Sequence, residues 1–190
     1  MIGALALAGC GGGTDSVIFL QEYADAENEF DAIKSTSPTA SLPSGTSLTF
    51  NGLAGMTFDI NGASQASGFG LGNVIQQGGD YLAVAHVEIT ANFDSGTFTG
   101  RLYNFDADEG HTIGGEIDIT GGTIDGSSKI SASLGDDNLT IDNKTASIDG
   151  TITDGYIVGT NGESLWGSHS STFSYGTVSG TLSGGLYASQ

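Results

Sequence analysis

The sequence predicts an all-β fold: a single eight-stranded antiparallel up-and-down β-barrel preceded by a short N-terminal helix or a flexible arm. Three observations carry this. The first is a two-residue hydrophobic rhythm. Tyr81, Ala83, Ala85, Val87, Ile89, Ala91 and Phe93 are apolar, while from His86 onward the residues between them, Glu88, Thr90, Asn92 and Asp94, are polar. That is the pattern of a half-buried strand. The second is punctuation by Gly pairs and Asp-Gly steps, at Gly121-Gly122, Asp125-Gly126, Asp149-Gly150 and Asp154-Gly155. The third is composition. The chain has 190 residues, 32 of them Gly and only 2 Pro, with hydrophobic residues at 37%. That length suits one domain, the low Pro content excludes collagen, and the spread of Val, Ile, Leu, Phe and Tyr argues against disorder.

Residues 1–10 read as the remnant of a lipoprotein signal. Met1–Gly9 is uniformly apolar or small, and Leu7-Ala8-Gly9-Cys10 has the form of a bacterial lipobox. Small residues at Ala8 and Gly9 let a peptidase approach the backbone, and the thiol of Cys10 is the atom that carries the diacylglycerol. Cys10 is the only cysteine, so no intrachain disulfide forms. The basic n-region of a secretory signal is missing, since no Lys or Arg precedes Lys34. A gene start further upstream, or a trimmed N-terminus, is therefore expected. Gly11 rather than Asp follows the cysteine, which leaves outer-membrane sorting open.

Residues 11–45 form the expected tether. Gly11-Gly12-Gly13 is flexible. Residues 14–34 read in two ways. Thr14 or Asp15 caps a short amphipathic helix with Val17, Leu20, Ala24 and Ile33 near helical spacing, or the acids Glu22, Asp25, Glu27, Glu29 and Asp31 keep the segment a disordered arm. Residues 35–45 hold both prolines, Pro38 and Pro43, among Ser and Thr, and read as a linker.

Residues 46–190 are the barrel. Ser47–Ile60 and Tyr81–Phe93 are strands. Asp94-Ser95-Gly96 is a turn that leads into Thr97–Phe105, a hairpin with Phe98 and Leu102 on one face. Ile113, Ile117 and Ile119 alternate with Glu116 and Asp118. Further segments follow at Thr123–Leu134, Asn138–Asp142, Thr145–Thr153, Tyr156–Gly159, Leu165–Phe173 and Thr177–Ala188. Such a meander closes as a barrel or packs as a sandwich. Closure removes exposed edges, and roughly eight strands fit the length at usual strand and turn sizes. Eight strands leave an interior just wide enough for side chains, so function is expected in the loops. The polar face carries Glu, Asp, Thr and Asn, not the apolar band of a membrane barrel.

Charge narrows the partners. Lys+Arg is 4 against Asp+Glu 22, a formal net charge of -18. That field repels nucleic acid and anionic headgroups and favours a partner with a basic patch. No catalytic motif stands out. The three histidines, His86, His111 and His169, have no Gly-x-Ser-x-Gly elbow beside them. His111 with Asp106, Asp108 and Glu109 is a local acidic cluster whose metal-binding form lacks the helix–loop–helix spacing, and the other reading is a solvated loop. Gly68-Phe69-Gly70-Leu71-Gly72-Asn73 lacks the third Gly of a dinucleotide loop and reads as an ordinary loop. No enzyme activity and no cofactor are expected. Trp166, the only tryptophan, falls at a loop-to-strand junction beside Tyr156. The pair are the candidate binding residues, with a cap on the barrel end as the other reading of Trp166.

Three stretches resemble the barrel domain of transferrin-binding-protein-like surface lipoproteins. Leu42-Pro43-Ser44-Gly45-Thr46-Ser47-Leu48-Thr49-Phe50-Asn51-Gly52 is similar to that family's first strand, with Phe50 in the aromatic place. Ile89–Gly100 resembles its Val-Asp-Phe hairpin, and Gly155–Gly167 its Gly-x-x-Gly-x-x-Ala-x-Glu-x-x-Gly loop, with Gly162 at the Ala position. The resemblance spans most of residues 42–188. It implies an eight-stranded barrel displayed on a Gram-negative outer membrane or cell surface, binding a protein, haem or metal-carrier ligand through its loops. The alternative is a structural envelope component or adhesin with no soluble ligand. Cys10→Ser is expected to move the protein from the membrane to the soluble fraction on cell fractionation; unchanged partitioning would remove the anchor.

Overall fold

The computed structural model describes residues 15–45, 47–60, 81–107 and 110–190. Within them a helix, α1 (Asp15–Lys34), precedes eight strands: β1 (Ser47–Asp59), β2 (Tyr81–Asn92), β3 (Thr97–Ala107), β4 (Ile113–Ile124), β5 (Lys129–Ile141), β6 (Lys144–Val158), β7 (Ser164–Tyr175) and β8 (Val178–Ser189). Each strand pairs antiparallel with the next, and β8 returns to β1, closing the barrel. The closing register runs from Asn51 opposite Ser189 to Asp59 opposite Thr181. The helix reading of residues 14–34 thus prevails over the disordered arm.

Several Gly and Asp-Gly steps that read as turns lie inside strands. Asp149-Gly150 sits mid-β6, where Gly150 lies against Ser171 of β7. Asp154-Gly155 is a bulge. The β6–β7 register shifts between Thr153 and Tyr156, and Asp154 takes a φ of 52°. Gly121-Gly122 marks another register shift, between β4 and β5. Bulges add a residue and sharpen the coiling that a small barrel needs. The segments Asn138–Asp142 and Tyr156–Gly159 therefore join their neighbours to make the long β5 and β6.

Alternation fills the cylinder. Phe50, Met56, Phe58, Ile89, Leu102 and Ile117 point inward and are fully buried. One end is closed by stacked rings. His111 stacks on Tyr81 at 3.9 Å, Tyr81 stacks on Phe58 at 4.5 Å, and Phe173 meets Phe58 edge-on at 5.1 Å. At the opposite end the expected linker is stitched down. Thr39 N–H donates to the Ile157 carbonyl at 3.0 Å, Ser128 Oγ donates to the Thr39 carbonyl at 3.0 Å, and Gly45 N–H donates to Asp94 Oδ1 at 2.7 Å. Pro38 forms an isolated bridge to Val158, and Leu42 packs on the core.

The inward face of β7 also carries polar groups, His169 and Ser171. His169 of β7 points inward, buried, with Nε2 3.3 Å from the Gly55 carbonyl. Gly184 makes room for it, since a Cβ there would lie 2.8 Å from Nε2. Burial pushes the imidazole pKa down to about 4, against the opposing pull of the Gly55 carbonyl. The unfolded chain, with a histidine pKa of about 6.5, binds the proton more readily. The stability gained from a neutral His169 is therefore complete above about pH 6.5 and is lost as pH falls towards about 4, by about 3 kcal/mol in all. Urea unfolding of His169→Leu against the wild type is expected to show a difference that grows in favour of the variant from pH 6.5 down to 4. A pH-independent difference would contradict the buried neutral imidazole.

Candidate functional site

The outer wall of the barrel is not uniformly polar. Leu53 of β1, Leu82 and Val84 of β2, Trp166 of β7 and Tyr187 of β8 face outward and form a second apolar cluster. Helix α1 covers it. Tyr23, Ala26, Phe30 and Ile33 recur at intervals of three and four, which places them on one helical face against this patch. Phe30 is fully buried and meets Trp166 edge-on, with ring centroids 6.1 Å apart. Lys34 in the last turn lies 5.3 Å from the Phe30 ring and 5.4 Å from the Trp166 ring. A cation at a helix C-terminus is favourable to the dipole, and here it also sits over aromatic faces.

Next to that buried stripe runs a stripe of acids. Glu22, Asp25 and Glu29 lie on the helix at steps of three and four and look across a groove to the barrel. Tyr187 forms part of the wall and its hydroxyl donates to Glu29 Oε2 at 3.0 Å. Burial and the nearby Glu29 charge both hold the Tyr187 phenol well above its ordinary value, so it stays a donor. The floor is Ala26, Leu53 and Val84, and the far wall is His86, Asn104 and Asp106. The groove encloses about 570 Å³.

A bulge builds the far wall. The β2–β3 register shifts between Val84 and His86: Val84 is opposite Asp106 and His86 is opposite Tyr103, so β3 carries one extra residue. Asn104 takes a φ of 50° there, a conformation that Asn tolerates better than most residues. The extra residue turns Phe105 towards the core and Asp106 outward beside the groove. Without it the parity of the strand would send Asp106 inside.

The residues singled out from sequence fall in different places. Tyr156 and Trp166 do come together, on the outer wall with ring centroids 5.7 Å apart. Trp166 lies half-buried under α1, its Nε1 without a hydrogen-bond partner among the described residues. Neither residue lines the groove. Asp106 does line it, whereas His111 pairs with Asp142, Nδ1 to Oδ2 at 3.0 Å. Asp108, Glu109, Cys10 and the loop Gly68–Asn73 lie outside the described residues. Among the described residues no three His, Cys, Asp or Glu side chains gather as metal ligands. The His111–Asp142 pair has no serine hydroxyl hydrogen-bonded to it among the described residues, and the ring is committed to Tyr81.

The groove could not be placed from local sequence because five elements scattered along the chain, α1, β1, β2, β3 and β8, build it together. A signal was present: Leu82 and Val84 put apolar side chains on what is, from His86 onward, the polar face of β2. No family model, no curated protein and no solved structure matches this chain. Phe30→Ala is expected to cost about 3–5 kcal/mol of helix docking. Amide exchange should then accelerate throughout α1 while the β1–β8 amides keep their protection.

Proposed function

We propose that this chain is a lipid-anchored binding protein of the bacterial envelope, without catalytic activity, whose ligand seats in the groove between α1 and the barrel wall. The groove carries the reading. It is a concavity with an apolar floor and a small number of polar groups at its rim, the form that ligand sites take. Its volume of about 570 Å³ lies in the range of small-molecule sites. The barrel interior is a filled core of side chains such as Phe50, Met56 and Phe58, and the ligand site moves from the loops, where the sequence reading puts it, to the helix side of the wall.

Anchoring rests on the lipobox ending at Cys10, and surface display on the resemblance to transferrin-binding-protein-like lipoproteins. Together they support a groove displayed to ligands outside the cell. Of the ligands that this resemblance implies, haem suits the groove poorly. Its two propionates would face Glu22, Asp25, Glu29 and Asp106. A purely structural envelope component has no need of a concavity with an apolar floor, which favours binding over that alternative.

Val84→Trp fills the floor of the groove from a half-buried position and leaves the barrel core untouched. The soluble full chain, made with Cys10→Ser, can be incubated with extracts of growth medium and read by native mass spectrometry. The parent is expected to retain a small molecule, Val84→Trp to lose it, and Thr151→Trp on an exposed position of β6 to keep it. Equal retention by all three would refute the groove.

A further inference from the structure

The groove also specifies the chemistry of what it holds, an argument that rests on the groove being the binding site. Its two walls differ in kind from its floor. Glu22, Asp25 and Glu29 stand one above another along roughly 10 Å of helix, given a rise of about 1.5 Å per residue. Asp106 faces them from β3. Two of these carboxylates are held in place by neutral donors: Gln21 Nε2 donates to Asp25 Oδ1 at 2.8 Å, and the Tyr187 hydroxyl donates to Glu29. Among the described residues none of the four is salt-bridged.

The chain's own cations are engaged elsewhere. It has 4 Lys and Arg residues. Lys34 lies over Phe30 and Trp166, and Arg101 bridges Glu88 and Glu116. Lys129 reaches Asp154, and Lys144 lies over Tyr175. The groove thus presents uncompensated negative charge above an apolar floor of Ala26, Leu53 and Val84. A bare metal ion would gain nothing from that floor, and a neutral hydrocarbon nothing from the walls. An anion would be repelled.

We infer that the groove binds a small organic cation: an amine or guanidinium, held between the carboxylates of α1 and Asp106, on an apolar body that lies along Leu53 and Val84. The cation takes the place of the counter-charge that the walls lack, and the apolar body covers the floor.

The test uses the full chain with Cys10→Ser and reads amide and methyl NMR shifts during titration. Three probes share one alkyl chain: octylammonium, octan-1-ol and octanoate. A fourth, calcium, carries charge without the chain. Octylammonium is expected to saturate shifts at Ala26, Leu53 and Val84 and to bind at least about tenfold more tightly than octan-1-ol, a difference of about 1.4 kcal/mol. The double variant Asp25→Asn, Asp106→Asn should remove that advantage and leave octan-1-ol binding unchanged. Octan-1-ol or octanoate binding at the same residues as tightly as octylammonium would overturn the cation and leave the groove standing. Calcium producing the same shifts would overturn the organic ligand. Shifts confined to residues away from the groove, or none with any probe, would overturn the inference together with the groove.

Discussion

The hydrogen-bonded seam between β1 and β8, from Asn51–Ser189 to Asp59–Thr181, is the constraint on which the rest of the molecule depends. Without it the sheet has two open edges rich in Thr, Ser and Gly, an arrangement prone to pairing with other chains. With it every strand has two neighbours, and parity assigns each side chain to the core or to the wall. The seam is close-packed. Gly52 sits against the backbone of Tyr187 and Ala188, and Gly184 against Gly55. Side chains at these two positions would force the strands apart. Glycine, which weakens an isolated strand, is what lets this sheet coil tightly enough to close.

Closure also creates the outer wall that α1 needs. A filled eight-stranded cylinder exposes its outward residues, and most of them here are Ser, Thr, Asp or Glu. Among the exceptions, the apolar cluster Leu53, Leu82, Val84, Trp166 and Tyr187 comes from β1, β2, β7 and β8, the strands flanking the seam. They coalesce into one patch only because β1 meets β8. The helix docks there by burying Tyr23, Ala26 and Phe30, and its acidic flank is then held off the wall, leaving the groove. A net charge of -18 with so few cations gives the whole surface a negative field. In the groove that field coincides with apolar surface, which converts a general electrostatic preference into a site with shape.

Much of the barrel was legible because period-two alternation is a strong local signal. The Tyr81–Phe93 rhythm and the Asp94-Ser95-Gly96 turn appear in the structure as β2 and its hairpin to β3. Turns and bulges were harder to separate, since both use Gly and Asp-Gly to reach positive φ. Asp154-Gly155 is a bulge, while Asp125 opens a true turn in which its carboxylate accepts hydrogen bonds from Ser127 and Lys129. Those bonds hold the Asp125 carboxyl below the ordinary range. Local sequence does not tell the two apart, because the choice depends on which strand lies opposite. The helix was ambiguous for a related reason. Its apolar residues Tyr23, Ala26, Phe30 and Ile33 are sparse among acids, and they make a stable stripe only against a patch whose members are scattered from Leu53 to Tyr187. The site was therefore the least legible part. Its floor, its two walls and the bulge at Asn104 that aims Asp106 come from α1, β1, β2, β3 and β8.

Backbone NMR of the soluble chain tests the ring most directly, through cross-strand contacts between β1 and β8. Close proton pairs should appear between Leu53 and Tyr187, Met56 and Gly184, and Phe58 and Leu182, whose residues are register partners. The amides of both strands should be as protected from exchange as those of β5 and β6. Absent contacts with rapid exchange along both strands would mean an open sheet, and the packed interior, the outward patch and the groove would all lose their basis.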